Sequence, residues 1–113
     1  MIAVSNRFHG NNSLNYVYRN GRTIRSKYFS IKYATNDRRK TYRLAVVISR
    51  KVAKNAVTRN RIRRRLYELF RTEVAAKLSN LDVVINVYDA EVADLTPTDL
   101  RQVFLQATEQ MHF

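Results

Sequence analysis

Five arginines fall within seven residues, Arg59-Asn60-Arg61-Ile62-Arg63-Arg64-Arg65, and this block constrains any fold the chain can adopt. A guanidinium is charged at every physiological pH and is not buried without a partner. The surroundings offer few partners. Residues 1–71 hold 19 basic side chains against only Asp37 and Glu68, a net +17, whereas residues 72–113 hold Lys77 and Arg101 against seven acids, a net −5. A surface built only for solubility mixes the two signs. Segregation on this scale points to a polyanionic partner for the first two thirds of the chain, with the acidic last third as the back of the molecule.

The remaining composition bounds the function class. With 113 residues, 45% of them hydrophobic, the chain can build one core, so residues 1–113 read as a single domain. The absence of cysteine excludes a disulfide scaffold, thiol catalysis and a zinc ribbon. No basic stretch followed by an apolar one opens the sequence, and no apolar run approaches the roughly 18–20 residues of a membrane span. A cytoplasmic protein with no membrane contact is expected. There is no Gly-rich phosphate loop, no HExxH and no zinc-ligand spacing. His9 and His112 stand alone near opposite ends, and Asp82, Asp89, Glu91, Asp94 and Asp99 are scattered as solvating and capping groups. The chain by itself carries no catalytic constellation, and nothing in it calls for a protein partner.

Periodicity supplies the elements. Asn11-Asn12-Ser13 has N-cap chemistry, Leu14, Val17 and Tyr18 recur at i, i+3 and i+4, and Asn20-Gly21 is a stop, so a short helix is predicted over Ser13–Arg19. Lys27–Ala34 alternates, with Phe29, Ile31 and Tyr33 on one side and Tyr28, Ser30 and Lys32 on the other, as in a half-buried strand. Thr35–Lys40 reads as a hairpin loop, and Tyr42–Ser49 as a more apolar, central strand. Asn55 caps a long helix from Ala56 to about Leu78, with Ile62, Leu66, Leu69, Phe70, Val74 and Leu78 on one stripe and Arg61, Arg64, Glu68 and Arg71 opposite. Val83–Val87 reads as a strand, and Thr96-Pro97-Thr98-Asp99 opens a last helix. The order α, β, β, α, β, α is that of an α+β sheet covered by helices.

As stability engineering the arginine block is poor. Arg59/Arg63 and Arg61/Arg65 are like-charge pairs at i, i+4, each costing about 0.2–0.5 kcal/mol, and they sit at the positive end of the helix dipole. Both penalties reverse when a phosphate backbone lies against the helix start. Guanidinium forks grip phosphates bidentately, and Arg50, Lys51 and Lys54 extend the patch. Asn60 suits a base edge, a ribose or a cap alike. Tyr16, Tyr18 and Tyr28 lie near basic Arg19, Arg25 and Lys32, a mixture that suits unpaired nucleotides because every base has a π face. Of these, Tyr18, Tyr28 and Lys32 are the candidates for a single strand.

The stretch from Ser49-Arg50-Lys51 through Asn55 to Arg59-Asn60-Arg61-Ile62-Arg63-Arg64 closely resembles the signature of the protein subunit of bacterial ribonuclease P. Leu14–Gly21 resembles that family's first helix and Gly turn, Phe29–Lys32 its first long strand and Asp82–Val87 its last. The resemblance implies a four-stranded α/β sandwich like the second domain of a small-subunit ribosomal protein, with a left-handed βαβ crossover against the right-handed rule. It implies a non-catalytic subunit of an endoribonuclease: a catalytic RNA with bound Mg²⁺ cleaves the 5′ leader from precursor tRNA. Carried over, Arg59, Asn60, Arg61, Arg64 and Arg65, with Arg50 and Lys54 of the adjoining patch, would contact the RNA subunit. Leu14, Tyr18, Ser30, Lys32, Ser49, Lys51 and Arg63, with Tyr28 beside them, would border a cleft for the single-stranded leader. No cofactor is implied for the protein itself.

The chain departs from the family pattern at several places. Leu14 stands where Phe is common, Ser30 and Lys32 replace a more apolar and often aromatic strand face, Ala53 replaces a frequent Gly, and Tyr88-Asp89 stands where many members carry Arg-Lys. Leader stacking is therefore expected to lean on Tyr18 and Tyr28, with Lys32 on phosphate. The competing reading is a ribosomal or other structured-RNA-binding protein. A DNA-binding helix-turn-helix is disfavoured, since no helix precedes Asn55 at a short turn.

Overall fold

The computed structural model describes residues 11–35, 42–74 and 81–111. The expected hairpin loop from Asn36 onward, the end of the long helix towards Leu78, and both histidines lie outside the described residues, as does the Leu14 side chain. The elements in order are α1 (Asn11–Asn20), β1 (Arg22–Arg25), β2 (Phe29–Thr35), β3 (Arg43–Ile48), α2 (Ala56–Leu69), β4 (Leu81–Val87) and α3 (Pro97–Thr108). A π-helical segment, Phe70–Val74, prolongs α2, and a 3-10 turn, Ala90–Ala93, precedes α3. The expected helix starts are confirmed in their chemistry: the Asn55 side chain accepts from the Val57 amide at 2.8 Å, and Thr96 accepts from the Asp99 amide at 3.1 Å with Pro97 at the first helical position.

The sheet has the order β1-β2-β4-β3, antiparallel except for the β3–β4 pair, which is parallel and joined through α2. One face carries Phe29, Ile31, Tyr33, Leu44, Val46, Ile48, Val83, Ile85 and Val87, all buried. Against it pack Ile62, Leu66 and Phe70 from the α2 side and Leu100 and Phe104 from α3. Ring contacts tie the layers, with Phe29 and Phe104 centroids 6.5 Å apart and Tyr42 and Phe70 5.0 Å apart. Among the described residues the other face is covered by α1 alone, whose Val17 packs on Ala45, Val84 and Ala34. Gly21 makes that seat possible: a Cβ there would lie 2.5 Å from the Val17 carbonyl oxygen and 2.9 Å from that of Tyr33.

Three differences from the sequence reading have clear causes. β3, expected as a central strand, lies at the edge of the sheet, and its apolar residues are accounted for by burial on the α2 face and partly on the α1 face rather than by two strand neighbours. β1 was not anticipated, because only Ile24 of its four residues is buried and so short a strand shows no periodicity. Tyr28 does not share the open face of Ser30 and Lys32. Its ring is 6% exposed and joins the main core beside Phe29. The strand begins at Phe29, two residues later than expected, and the Ser26 hydroxyl donates to the Phe29 carbonyl at 3.0 Å, closing a turn before it. Alternation applies only within the ladder, so Tyr28 is free to turn inward.

Asp82 is the one buried charged residue among those described, at 2% exposure. It lies on the α1 face, opposite Arg43 in the β3–β4 register, and takes a bidentate fork from the Arg43 guanidinium at 2.8 and 2.7 Å. One of the acids assigned to the back of the molecule is thus inside the sheet. Breaking a buried pair from one side is costly. Arg43→Ala is expected to destabilise the fold by about 3 kcal/mol, read as a lower urea midpoint at unchanged m value.

Candidate nucleic-acid interface

The arginine block occupies the first turns of α2, and the structure divides it in two. Arg59 donates to the carbonyls of Ala53 and Lys54, both at 2.9 Å, which holds the loop before the helix against its own first turn. Arg63 donates from Nε to the Val46 carbonyl at 3.4 Å, covering the outer edge of β3, and to Asn60 Oδ1 at 3.3 Å. Arg65 reaches across to the 3-10 turn and donates to the carbonyls of Val92 at 2.8 Å, Ala93 at 2.9 Å and Leu95. Burial lowers its pKa, Arg61 beside it adds to that effect, and Asp94 opposes it. The guanidinium expected to contact RNA is thus already engaged in holding the β4–α3 connection.

Arg61 and Arg64 differ. Both are exposed, and neither has a hydrogen-bond acceptor among the described residues. They line a cavity of about 510 Å³ with Arg65, Glu68, Leu95 and Pro97, between α2 and the start of α3. Glu68 stays ionised there, because the Arg71 fork, 2.7 Å at its shortest, holds its carboxyl at about 2. Asn60, Arg50, Lys51 and Lys54 are also exposed around the beginning of the helix. Exposed guanidiniums with no acceptor among the described residues suit phosphate oxygens.

A second surface lies on the α1 side of the sheet. Paired residues point to the same face, so the registers place Arg25, Ser30, Asn86 and Val47 in one row across all four strands. The next row is Thr23, Lys32, Val84 and Ala45. Val17 seats α1 on the second row, and among the described residues the first row is covered only in part: Arg25 and Val47 are exposed, Ser30 and Asn86 half-buried. Tyr18, 37% exposed, forms the wall. Its hydroxyl donates to Asn86 Oδ1 at 3.1 Å, and Lys32 Nζ lies 5.2 Å from its ring centroid. Ser49 and Lys51 are exposed just beyond β3. The result is a trough with an aromatic wall, a polar floor and cations on its rim.

The sequence-predicted residues Tyr18, Ser30 and Lys32 are thus brought together, whereas Tyr28 is removed to the core and Arg63 to the edge of β3. Leu14 is on α1. Asn86 and Arg25 were not among the predicted site residues. The signal for Asn86 was a lone amide inside the apolar run Val83–Val87, and for Arg25 it was the unanticipated strand. Tyr88, in the loop where the family pattern is basic, donates its hydroxyl to the Ser26 and Phe29 carbonyls and ties the end of β4 to the β1–β2 turn. Among the described residues no three His, Asp or Glu side chains form a metal cradle, and no helix is long and apolar enough to cross a membrane.

The two halves of the block have separable roles. Arg65→Ala is expected to cost about 2 kcal/mol of stability through its lost carbonyl bonds. The Arg61→Ala, Arg64→Ala double variant should stay within about 0.5 kcal/mol of the parent or gain slightly, while losing affinity for structured RNA. Paired urea melts and filter-binding titrations separate the two.

The family model for ribonuclease P matches residues 2–112. A ribonuclease P protein component from a Pseudanabaena species is 33% identical over 87 residues, spanning 77% of this chain and 75% of that protein. The corresponding protein of Carboxydothermus hydrogenoformans is 41% identical over 70 residues, 61% of this chain and 60% of that one. The solved RNase P protein of Thermotoga maritima superposes with a TM-score of 0.80 at 19% identity, covering 95% of this chain and 98% of the other, and so shares the fold. A family match over residues 2–112, together with relatives more than 30% identical, shows that this chain belongs to the ribonuclease P protein family, whose members bind RNA in tRNA processing.

Proposed function

We propose that this chain grips two RNAs with two surfaces. The exposed face of α2, through Arg61 and Arg64 with Asn60, Arg50 and Lys54 beside it, docks on the catalytic RNA of ribonuclease P. The trough between α1 and the sheet holds the single-stranded 5′ leader of precursor tRNA. The observation that carries this reading is the partly covered row Arg25–Ser30–Asn86–Val47 beneath Tyr18. An exposed ring beside cations suits unpaired nucleotides: one extended strand can lay a base on Tyr18 and its phosphates along Lys32, Arg25 and Lys51.

Cleavage in this reading belongs to the RNA partner and its Mg²⁺, and the work of the protein is positional. By anchoring the leader on one face and the RNA on another, it makes the second contact intramolecular and raises the effective concentration of the scissile bond. The place of action is the cytoplasm, with the precursor tRNAs.

The test is reconstitution with a ribonuclease P RNA at low Mg²⁺. The protein is expected to stimulate leader removal, and its affinity for that RNA to fall by about 10³–10⁵ between 50 and 200 mM salt if six to ten phosphates are neutralised. Co-sedimentation with ribosomes without any stimulation of cleavage would establish the ribosomal reading instead.

A further inference from the structure

Asn86 is out of place by packing alone. β4 is one of the two interior strands, and on its α1 face Asn86 follows Val84 and lies opposite Val47, so an aliphatic side chain would fill the position at no polar cost. The carboxamide is instead held in one orientation. The Tyr18 hydroxyl donates to Oδ1 at 3.1 Å, and the planar amide then turns Nδ2 away from Tyr18, into the open part of the trough. No described residue accepts from Nδ2. In the registers Ser30, whose hydroxyl can donate or accept, is paired with Asn86, while Arg25 one strand further on and Lys32 in the next row only donate.

We propose that Asn86 is a specificity-determining residue: its Nδ2 donates to a keto oxygen of one leader base lying beside Tyr18, and Tyr18 is the positioning residue that holds the amide for it. This inference rests on the reading of the trough as the leader site. A floor that offers donors and has its one amide oxygen already engaged favours a base with a carbonyl, such as uracil. It disfavours adenine, which has no keto oxygen and whose two-bond pairing with a carboxamide needs Oδ1, the atom the Tyr18 hydroxyl already occupies. The two cations serve the phosphates of any sequence, so selectivity resides in the amide.

The experiment measures affinities of the reconstituted holoenzyme for precursor tRNAs that differ only in an oligo(U) or oligo(A) leader, with mature tRNA as the baseline. The quantity read is the U:A affinity ratio relative to that of the parent, which cancels the stronger intrinsic stacking of adenine and any general change in charge. Asn86→Asp replaces the donor by an acceptor and is expected to move the ratio towards A by about tenfold. Asn86→Ala, which tolerates the strand, should move it about threefold the same way, and so should Tyr18→Phe, which keeps the ring but releases the amide. An unchanged ratio in Asn86→Asp and Asn86→Ala overturns the proposal. If leaders still raise affinity over mature tRNA in that case, the trough remains the leader site and only the role of Asn86 falls. If leader-bearing and mature tRNA bind alike in the parent, the leader reading itself falls, and this proposal with it.

Discussion

The parallel pairing of β3 with β4 is the constraint around which the molecule is arranged. Two parallel neighbours cannot be joined by a tight turn, so the chain must leave the sheet and return, and α2 is that return. The crossover that completes the sheet is therefore also the helix that bears the arginines. Its apolar stripe of Ile62, Leu66 and Phe70 is committed to the core, which forces the guanidiniums onto the remaining surface. A basic helix cannot drift or fray here without opening the centre of the sheet, and that rigidity is what a docking surface for a folded RNA needs.

β4 also has both faces buried, and the two covers are unequal. α2 and α3 pack along one face, whereas among the described residues α1, seated through Val17 and the close approach at Gly21, is the single cover of the other and closes only part of it. The trough is the remainder. Its floor can be polar because it is not sealed: Ser30 and Asn86 stay half-solvated, while the deeper Asp82 needs the Arg43 fork. The same sheet face thus passes from a paired buried charge at one end to an open single-strand surface at the other.

The arginine block shows how one sequence motif can carry two kinds of work. Three members spend their donors on backbone carbonyls that would otherwise be left at a loop, a sheet edge and a 3-10 turn. Carbonyl ties of this kind offset part of the mutual repulsion within the block and leave the two remaining guanidiniums unpaired for a ligand. The repulsion that makes the block look wasteful in isolation is divided between structure and binding.

Much of this was legible without coordinates. Charge segregation pointed to a polyanion, the 3.6-residue stripe of α2 separated core from arginine face, and the caps at Asn55 and Thr96 marked helix starts, because each of these is a local or additive property of the chain. The Ser-Arg-Lys to Arg-Asn-Arg-Ile stretch sufficed for the family. What required the tertiary structure was everything decided by partners distant in sequence. Tyr28 turned inward because a turn holds it outside the ladder, where alternation does not apply. Arg65 was claimed by carbonyls nearly thirty residues away. Asn86 met Tyr18 across 68 positions, since a side chain's place on a strand follows from local geometry, whereas what stands opposite it depends on which strands pair and in what register.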